Sequence, residues 1–356
     1  MRRIRLLDLG EVPPVRSQTC YHAAAYCLRA GAPETIILVS PARPYVCIGY
    51  HQDLDKEVDV EFCRTRDLPV YRREVGGGAV YLDRDQLFSQ WIFRPENLPA
   101  EAGERFRLYI EPLVGTYRDL GVPAEHRPVN DVHVRGRKIG GTGAARIGEA
   151  EVLVGSFMFD FDKAAMARVL KVSSEKMRDK VVQGLRDYMT TLRDELGIRP
   201  ERGRVADLYV RRCAEALGAE IVPGDWSREE EAKAAELDGL FASPEWLDQK
   251  GAFRRPGIRI HEGVRVHESA LKAPGGLIRV TVRVRENLID DLSVSGDFTV
   301  LPRSAVPDIE TAARGLAAEP EAFLDLVRSR YRRDAVQSPG LAPEHWAEAL
   351  AAALAS

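Results

Sequence analysis

Two glycine-rich segments of this 356-residue chain carry cations at spacings suited to an anionic ligand. The first reads Tyr71-Arg72-Arg73-Glu74-Val75-Gly76-Gly77-Gly78-Ala79-Val80-Tyr81. Three consecutive glycines let backbone N–H groups approach a ligand closely and adopt positive φ, and the paired arginines can hold a carboxylate or phosphate. No Gly-Lys-Ser/Thr follows, so this is not a Walker loop, and the G-x-G-x-x-G spacing of a dinucleotide fold is missing. The same run also suits a hairpin whose glycines only let strands pack closely.

The second segment, Val129-Asn130-Asp131-Val132-His133-Val134-Arg135-Gly136-Arg137-Lys138-Ile139-Gly140-Gly141-Thr142-Gly143, predicts a hairpin turning at Gly136-Arg137, with Lys138 opening the returning strand. Its ammonium could reach a ligand held by the first loop. Asp131 could hold Mg²⁺, and Asn130 could orient Asp131 or a neighbouring hydroxyl. A lone lysine after a turn is ordinarily a solvated side chain; two glycine loops with separate cations give this one its weight. Only nine of the 51 basic residues are lysines. Where arginine serves elsewhere, this site holds lysine, a compact point charge in place of a planar guanidinium fork.

The elements that must position these groups read as α+β. Short apolar strands are predicted at ETIILVS and YVCIGY, a helix over 55–66, strands flanking the triple glycine, a helix over 101–120, and a long buried strand over 151–162. Helices follow over 163–170, 187–196, 204–217 and 228–240. A linker at 251–257, around Arg254-Arg255-Pro256, separates this part from strands near 258–266, 277–286 and 288–295 and helices near 306–315, 320–332 and 343–354. At roughly 150 residues per domain the length also suggests two domains.

The 51 basic and 54 acidic residues leave a net charge of −3, which supplies no overall field for a polyanion, so nucleic acid is not an expected partner. Five scattered cysteines with no C-x-x-C pair argue against a disulfide framework or zinc site and suggest a reducing cytoplasm. The first residues lack the apolar core of a secretion signal, and no run approaches eighteen apolar residues, so no membrane association is expected. His261 and His267 could share a strand face, and His126 and His133 flank the second motif; all four read as ordinary surface or core histidines. The basic run Arg328, Arg330, Arg332 and Arg333 reads as a solvated helix face, with carrier docking as the alternative.

Taken together, Arg72-Arg73-x-x-Gly-Gly-Gly-Ala-Val-Tyr, then Asn130-Asp131, then Gly136-Arg137-Lys138-Ile139-x-Gly resemble the lipoate-protein ligase family. Leu170–Lys180 is similar to the family's stretch after the core sheet, and Lys272–Gly276 with Ser295–Phe298 and Leu301-Pro302 to its accessory domain. The resemblance implies a biotin/lipoate ligase-like mixed-sheet catalytic domain over 1–250 and a smaller α/β accessory domain over 256–356. It implies activation of lipoate by ATP, with Mg²⁺, to lipoyl-AMP, and transfer to a lysine of a lipoyl carrier: a lipoyl domain, a glycine-cleavage H-like protein or a specialised lipoate-binding protein. In that likeness Lys138 is the catalytic lysine bridging the acyl carboxylate and the α-phosphate. Arg72, Arg73, Gly76, Gly77, Gly78, Ala79, Val80, Ile139 and Gly141 surround the acyl-adenylate, with Val80, Ile139 and Phe157 as acyl-tunnel candidates. Asn130 and Asp131 lie on the nucleotide side, Asp131 as metal ligand.

Several positions depart from the family pattern. Val75 replaces a Ser or Thr, Leu82 a His, Gln86 an Asn, and Gly140–Ala144 the usual Ser-Gly-Ser-Ala-Gln; side-chain hydrogen bonds are lost while backbone donors remain. Two other readings stand beside the ligase. One is an octanoyl or lipoyl acyltransferase working through a cysteine nucleophile, which the absence of cysteine between Cys63 and Cys213 disfavours. The other is a non-catalytic homologue that binds lipoyl carriers or adenylates.

Overall fold

A strand is buried on both faces when it lies inside a sheet covered on both sides. TIILVSP and QLFSQWIF are such strands, and both are buried at every position. They lie side by side within an eight-stranded mixed sheet in a computed structural model describing residues 2–172, 174–250 and 264–356. In chain order the strands of this part are β1 (Arg2–Val12), β2 (Thr35–Pro41), β3 (Tyr45–Ile48), β4 (Val70–Arg72), β5 (Val80–Leu82), β6 (Gln86–Phe93), β7 (Ala124–Arg127), β8 (Asp131–Val134), β9 (Arg137–Ile147), β10 (Ala150–Met158) and β11 (Ala219–Pro223). The large sheet runs β11-β1-β2-β6-β10-β9-β8-β7, and a small sheet runs β4-β3-β5.

Strand alternation divides the interior in two. Ile139, Ala144, Leu153 and Phe157 face helices Ala102–Asp119 and Arg202–Leu217, where Phe106, Tyr109 and Tyr209 complete one core. Ala145, Ile147 and Val152 face the other way, toward helix Arg16–Tyr26 and the small sheet, in a core that includes Cys47 and Val75. The glycine loop between β4 and β5 therefore lies on the second face.

Most expected elements are present, with instructive exceptions. β1 and helix Arg16–Tyr26 carry no clean apolar period and were not expected; β1 is held by parallel pairing to β2 and β11. The helix expected over 55–66 is two short ones, Leu54–Glu57 and Val60–Thr65, because Asp53 and Asp59 each cap a new start. Helix Glu175–Tyr188, capped by Ser174, precedes Leu192–Leu196 where a single helix over 187–196 was expected. The hairpin turn is Arg135-Gly136, one residue earlier than expected. Both residues take positive φ, and Val134 pairs with Arg137, as a two-residue primed turn requires.

Beyond residue 263, β12 (Val264–Ala273), β13 (Gly276–Arg285) and β14 (Leu288–Gly296) form an antiparallel meander. Helices Ala305–Ala313, Pro320–Arg333 and Pro343–Leu354 pack around a core of their own containing Phe298, Phe323 and Trp346. The expected linker at 251–257 and most of the strand expected near 258–266, with His261, lie outside the described residues. Of the basic run, Arg328 pairs with Glu344, and Arg330 and Arg333 pair with Asp334, which reduces the free charge available for docking.

This C-terminal unit sits against the glycine loop. Gly77 N–H donates to the Phe298 carbonyl at 3.4 Å, Phe298 stacks on His51 at 5.2 Å, and Gly296 N–H donates to the His51 carbonyl at 3.1 Å. Arg303 pairs with Glu74, whose carboxylate is only 2 % exposed and also accepts from the Tyr26 hydroxyl at 2.9 Å. Removing the guanidinium would strand a buried charge. Arg303→Met is expected to lower stability by about 3 kcal/mol, and adding Glu74→Gln to recover part of that loss, read as the midpoint of thermal unfolding.

Candidate active site

Strand pairing explains how the second motif is built. β8 and β9 pair so that Asp131 opposes Gly141 and His133 opposes Lys138, with a bulge between Val132 and His133. Asp131, Lys138 and Gly141 meet, and Val132, Val134 and Ile139 are left in the helix-facing core. The Lys138 ammonium lies 2.7 Å from Asp131 Oδ1, and both groups remain partly open to solvent, at 28 % and 22 %.

The hairpin is fixed by its surroundings. The buried carboxylate of Glu195 takes Arg137 at 2.6 Å and Arg135 at 2.8 Å, and also accepts from the Thr190 hydroxyl. Thr190 N–H donates to the Lys138 carbonyl at 2.9 Å. Helix Glu175–Tyr188, which delivers Thr190, is tied down by Arg178, whose guanidinium donates to the carbonyls of Ala167, Arg168 and Leu170. The Leu170–Lys180 stretch thus shapes the backbone under Lys138 from a distance.

On β9, glycine serves a steric need at positions 141 and 143. A Cβ on Gly141 would stand 3.0 Å from the Lys138 ammonium, and one on Gly143 would stand 2.6 Å from Val75 Cγ1. The first keeps room for the ammonium; the second lets the glycine loop lie directly on β9. Val75 and Gly143 fit together, since Val75 is fully buried where Gly143 leaves space.

The two arginines of the first loop are both used internally, by different means. Arg72 is 0 % exposed and donates to the carbonyls of Gly49, Tyr50, Gln52 and Leu247. Where a ligand contact was expected, it braces buried backbone, because five N–H donors this deep must find acceptors. Arg73 is half-buried and holds the loop's shape, donating to the carbonyls of Cys47 (3.2 Å), Gly76 (2.8 Å) and Gly78 (2.9 Å). Ala79 and Val80 lead into β5, half-buried on the loop's side. Ile139 and Phe157, expected as acyl-tunnel candidates, are both fully buried in the helix-facing core, on the far side of the sheet from the loop.

Asn130 donates its side-chain amide to the Thr142 carbonyl at 2.6 Å, and its own carbonyl accepts from Thr142 N–H and Oγ1, so it clamps β8 to β9 beside Asp131. Asp131 is the one carboxylate against Lys138, and no group of three or more His, Cys, Asp or Glu side chains gathers as a metal cage among the described residues. All five cysteines are buried, and burial raises every thiol, Cys20 to about 12 and Cys63 to about 11. His126 Nε2–H donates to the Val129 carbonyl of its own loop at 3.0 Å. Sequence reasoning overlooked Glu195, Arg178 and the Glu74–Arg303 pair, for which only the folded chain gives a signal. It also passed over His133, whose two-residue spacing from Asp131 was legible.

Two substitutions separate bracing from chemistry. Arg72→Met leaves several buried carbonyls without donors and is expected to cost about 3 kcal/mol of stability. Gly141→Ala meets only the far end of a flexible side chain, so stability should change by less than about 0.5 kcal/mol, while a displaced ammonium should reduce activity by roughly 10-fold or more. Thermal unfolding and turnover measured on both variants check this opposition.

Comparison with known proteins is consistent with this geometry. The family model described as "Lipoyl protein ligase A/B catalytic domain" matches residues 21–214. The octanoyltransferase LipM of Kyrpidia tusciae is 30 % identical over 245 residues, covering 62 % of this chain and 89 % of that protein. Lipoate-protein ligase A subunit 1 of Thermoplasma acidophilum is 29 % identical over 254 residues, covering 68 % and 95 %. A solved structure of an archaeal bipartite lipoate protein ligase, studied with its E2 lipoyl domain from T. acidophilum, superposes with a TM-score of 0.64 at 26 % identity, covering 72 % of this chain and all of that one. No helix among the described residues is long and apolar enough to cross a membrane.

Proposed function

Because the chain belongs to the lipoyl protein ligase A/B catalytic family, and is an enzyme of its ligase and transferase kind, we propose that it is an ATP-dependent lipoate-protein ligase. The observation that carries this reading is the Lys138–Asp131 pair beside a glycine loop, with Cys47, the thiol packed beside Arg73 and Val75 of that loop, fully buried. Transfer through an acyl-enzyme needs an accessible thiolate. The chain has no cysteine between Cys63 and Cys213, and burial disfavours the thiolate at all five positions.

Adenylation joins a lipoate carboxylate oxygen to the α-phosphorus of ATP and releases pyrophosphate. Two anions must be brought together, and the negative charge that gathers on the α-phosphate is the main barrier. Lys138 turns from Asp131 to lie between the acid and the phosphate, where a point charge serves both. The Gly76–Gly78 backbone, held in shape by Arg73, offers N–H donors to the same adenylate. In the second half-reaction the amine of a carrier lysine attacks the acyl carbon, an amide forms, a proton leaves the nitrogen and AMP departs.

A single accessible carboxylate suits Mg²⁺ that arrives on nucleotide phosphates and keeps most of its other ligands from them and from water. Asp131 would hold it, with Asn130 fixing the strand beneath. When bound, the ion neutralises phosphate charge. The carrier kind, a lipoyl domain or similar protein, is supported by the archaeal ligase described with its E2 lipoyl domain.

The octanoyltransferase LipM relatives favour a second reading, acyl transfer between carriers without nucleotide. Pyrophosphate assays on the full chain with ATP, Mg²⁺ and lipoate, without carrier, decide between them. Release in wild type and a loss of at least about 100-fold in Lys138→Ala, with unchanged unfolding, is the expected outcome. Well-folded wild type that releases none, yet moves octanoate between carriers, would establish the transferase instead.

A further inference from the structure

His133 is the cross-strand partner of Lys138, and two residues separate it from Asp131 along β8. Its imidazole is 1 % exposed and meets the edge of the Tyr188 ring at 5.7 Å. Neither ring nitrogen has a hydrogen-bond partner among the described residues. Nε2 faces Asp131 Oδ2 at 3.8 Å, while Oδ1 of the same carboxylate holds Lys138 at 2.7 Å. One carboxylate is thus flanked by an ammonium already bonded to it and an imidazole about 1 Å beyond bonding distance.

A buried imidazole with no hydrogen bond costs stability, and an apolar side chain of similar size would fill the same space without that cost. Polar groups kept under such conditions concentrate where a site needs them. Here the need is specific. The ligase reading, on which this inference rests, takes Lys138 away from Asp131 Oδ1, the oxygen that Mg²⁺ on the nucleotide would then use, and leaves Oδ2 with no group to fix the direction of the carboxylate.

We infer that His133 is a positioning residue: as Lys138 turns to the acid and the phosphate, the imidazole Nε2–H closes on Asp131 Oδ2 and keeps the carboxylate in place. The donor is the N–H on Nε2, the nitrogen that faces Oδ2. Tyr188, packed against the ring, limits its movement to the short approach required.

His133→Phe and His133→Gln in the full chain test this, with unfolding temperature, kcat and KM for lipoate-dependent pyrophosphate release measured for each. His133→Phe should unfold at the wild-type temperature or above it, because two unpaired nitrogens are gone. Its kcat should fall about 10-fold, with KM for lipoate changing less than about two-fold, the pattern of a lost contact made only as the reaction proceeds. His133→Gln, which restores an N–H near the position of Nε2, should regain most of that loss. Wild-type kcat in His133→Phe, or a His133→Gln variant no more active than His133→Phe, would overturn the inference and leave the ligase reading standing. Wild-type protein without lipoate-dependent release would overturn the ligase reading, and this inference with it.

Discussion

The structure depends on an ammonium and a carboxylate held 2.7 Å apart on neighbouring strands, Lys138 on β9 and Asp131 on β8. As a stabilising contact this pair is minor, because partly exposed ion pairs contribute about 0–1 kcal/mol. The elements around it are nonetheless extensive. Glu195 fixes the turn, Thr190 fixes the backbone of Lys138, Asn130 clamps the two strands, and Gly141 leaves space for the ammonium. So much support for so weak a bond is what a site requires when position, rather than stability, is the quantity preserved.

The first glycine loop follows the same logic with the charges reversed. Its two arginines are not free to meet an anion. Arg72 braces carbonyls under the loop, and Arg73 gathers those of Cys47, Gly76 and Gly78. Drawing carbonyl oxygens toward a guanidinium leaves the loop's N–H groups as its remaining polar edge. The C-terminal unit uses one of them, Gly77 N–H, through the carbonyl of Phe298. Access to the loop and the seating of that unit are therefore physically linked, and the Glu74–Arg303 pair lies at their junction.

Much of this was legible in the sequence, for identifiable reasons. The doubly buried strands declared themselves as apolar runs, the hairpin as alternation around a turn expected at Gly136-Arg137 and found one residue earlier, and the glycine loop as three glycines after two arginines. Capping aspartates split one helix that periodicity alone had joined. What stayed hidden were properties of contact. Nothing local distinguishes Arg72, turned inward onto carbonyls, from Arg73, or marks Ile139 as belonging to the far side of the sheet until a bulge sets the register of β9. The meaning of His133 likewise appears only when its strand is paired and its nitrogens are found without partners.

The central claim is that this chain activates an acid on a nucleotide, with Lys138 between the two anions and no thiol taking part. Native mass spectrometry of the full protein incubated with lipoate, ATP and Mg²⁺, without carrier, tests it most directly. The account predicts a noncovalent complex heavier by lipoyl-AMP, which disappears on denaturation and does not form in Lys138→Ala. A lipoyl or octanoyl group bound covalently to a cysteine, acquired from an acylated carrier without ATP, would contradict it.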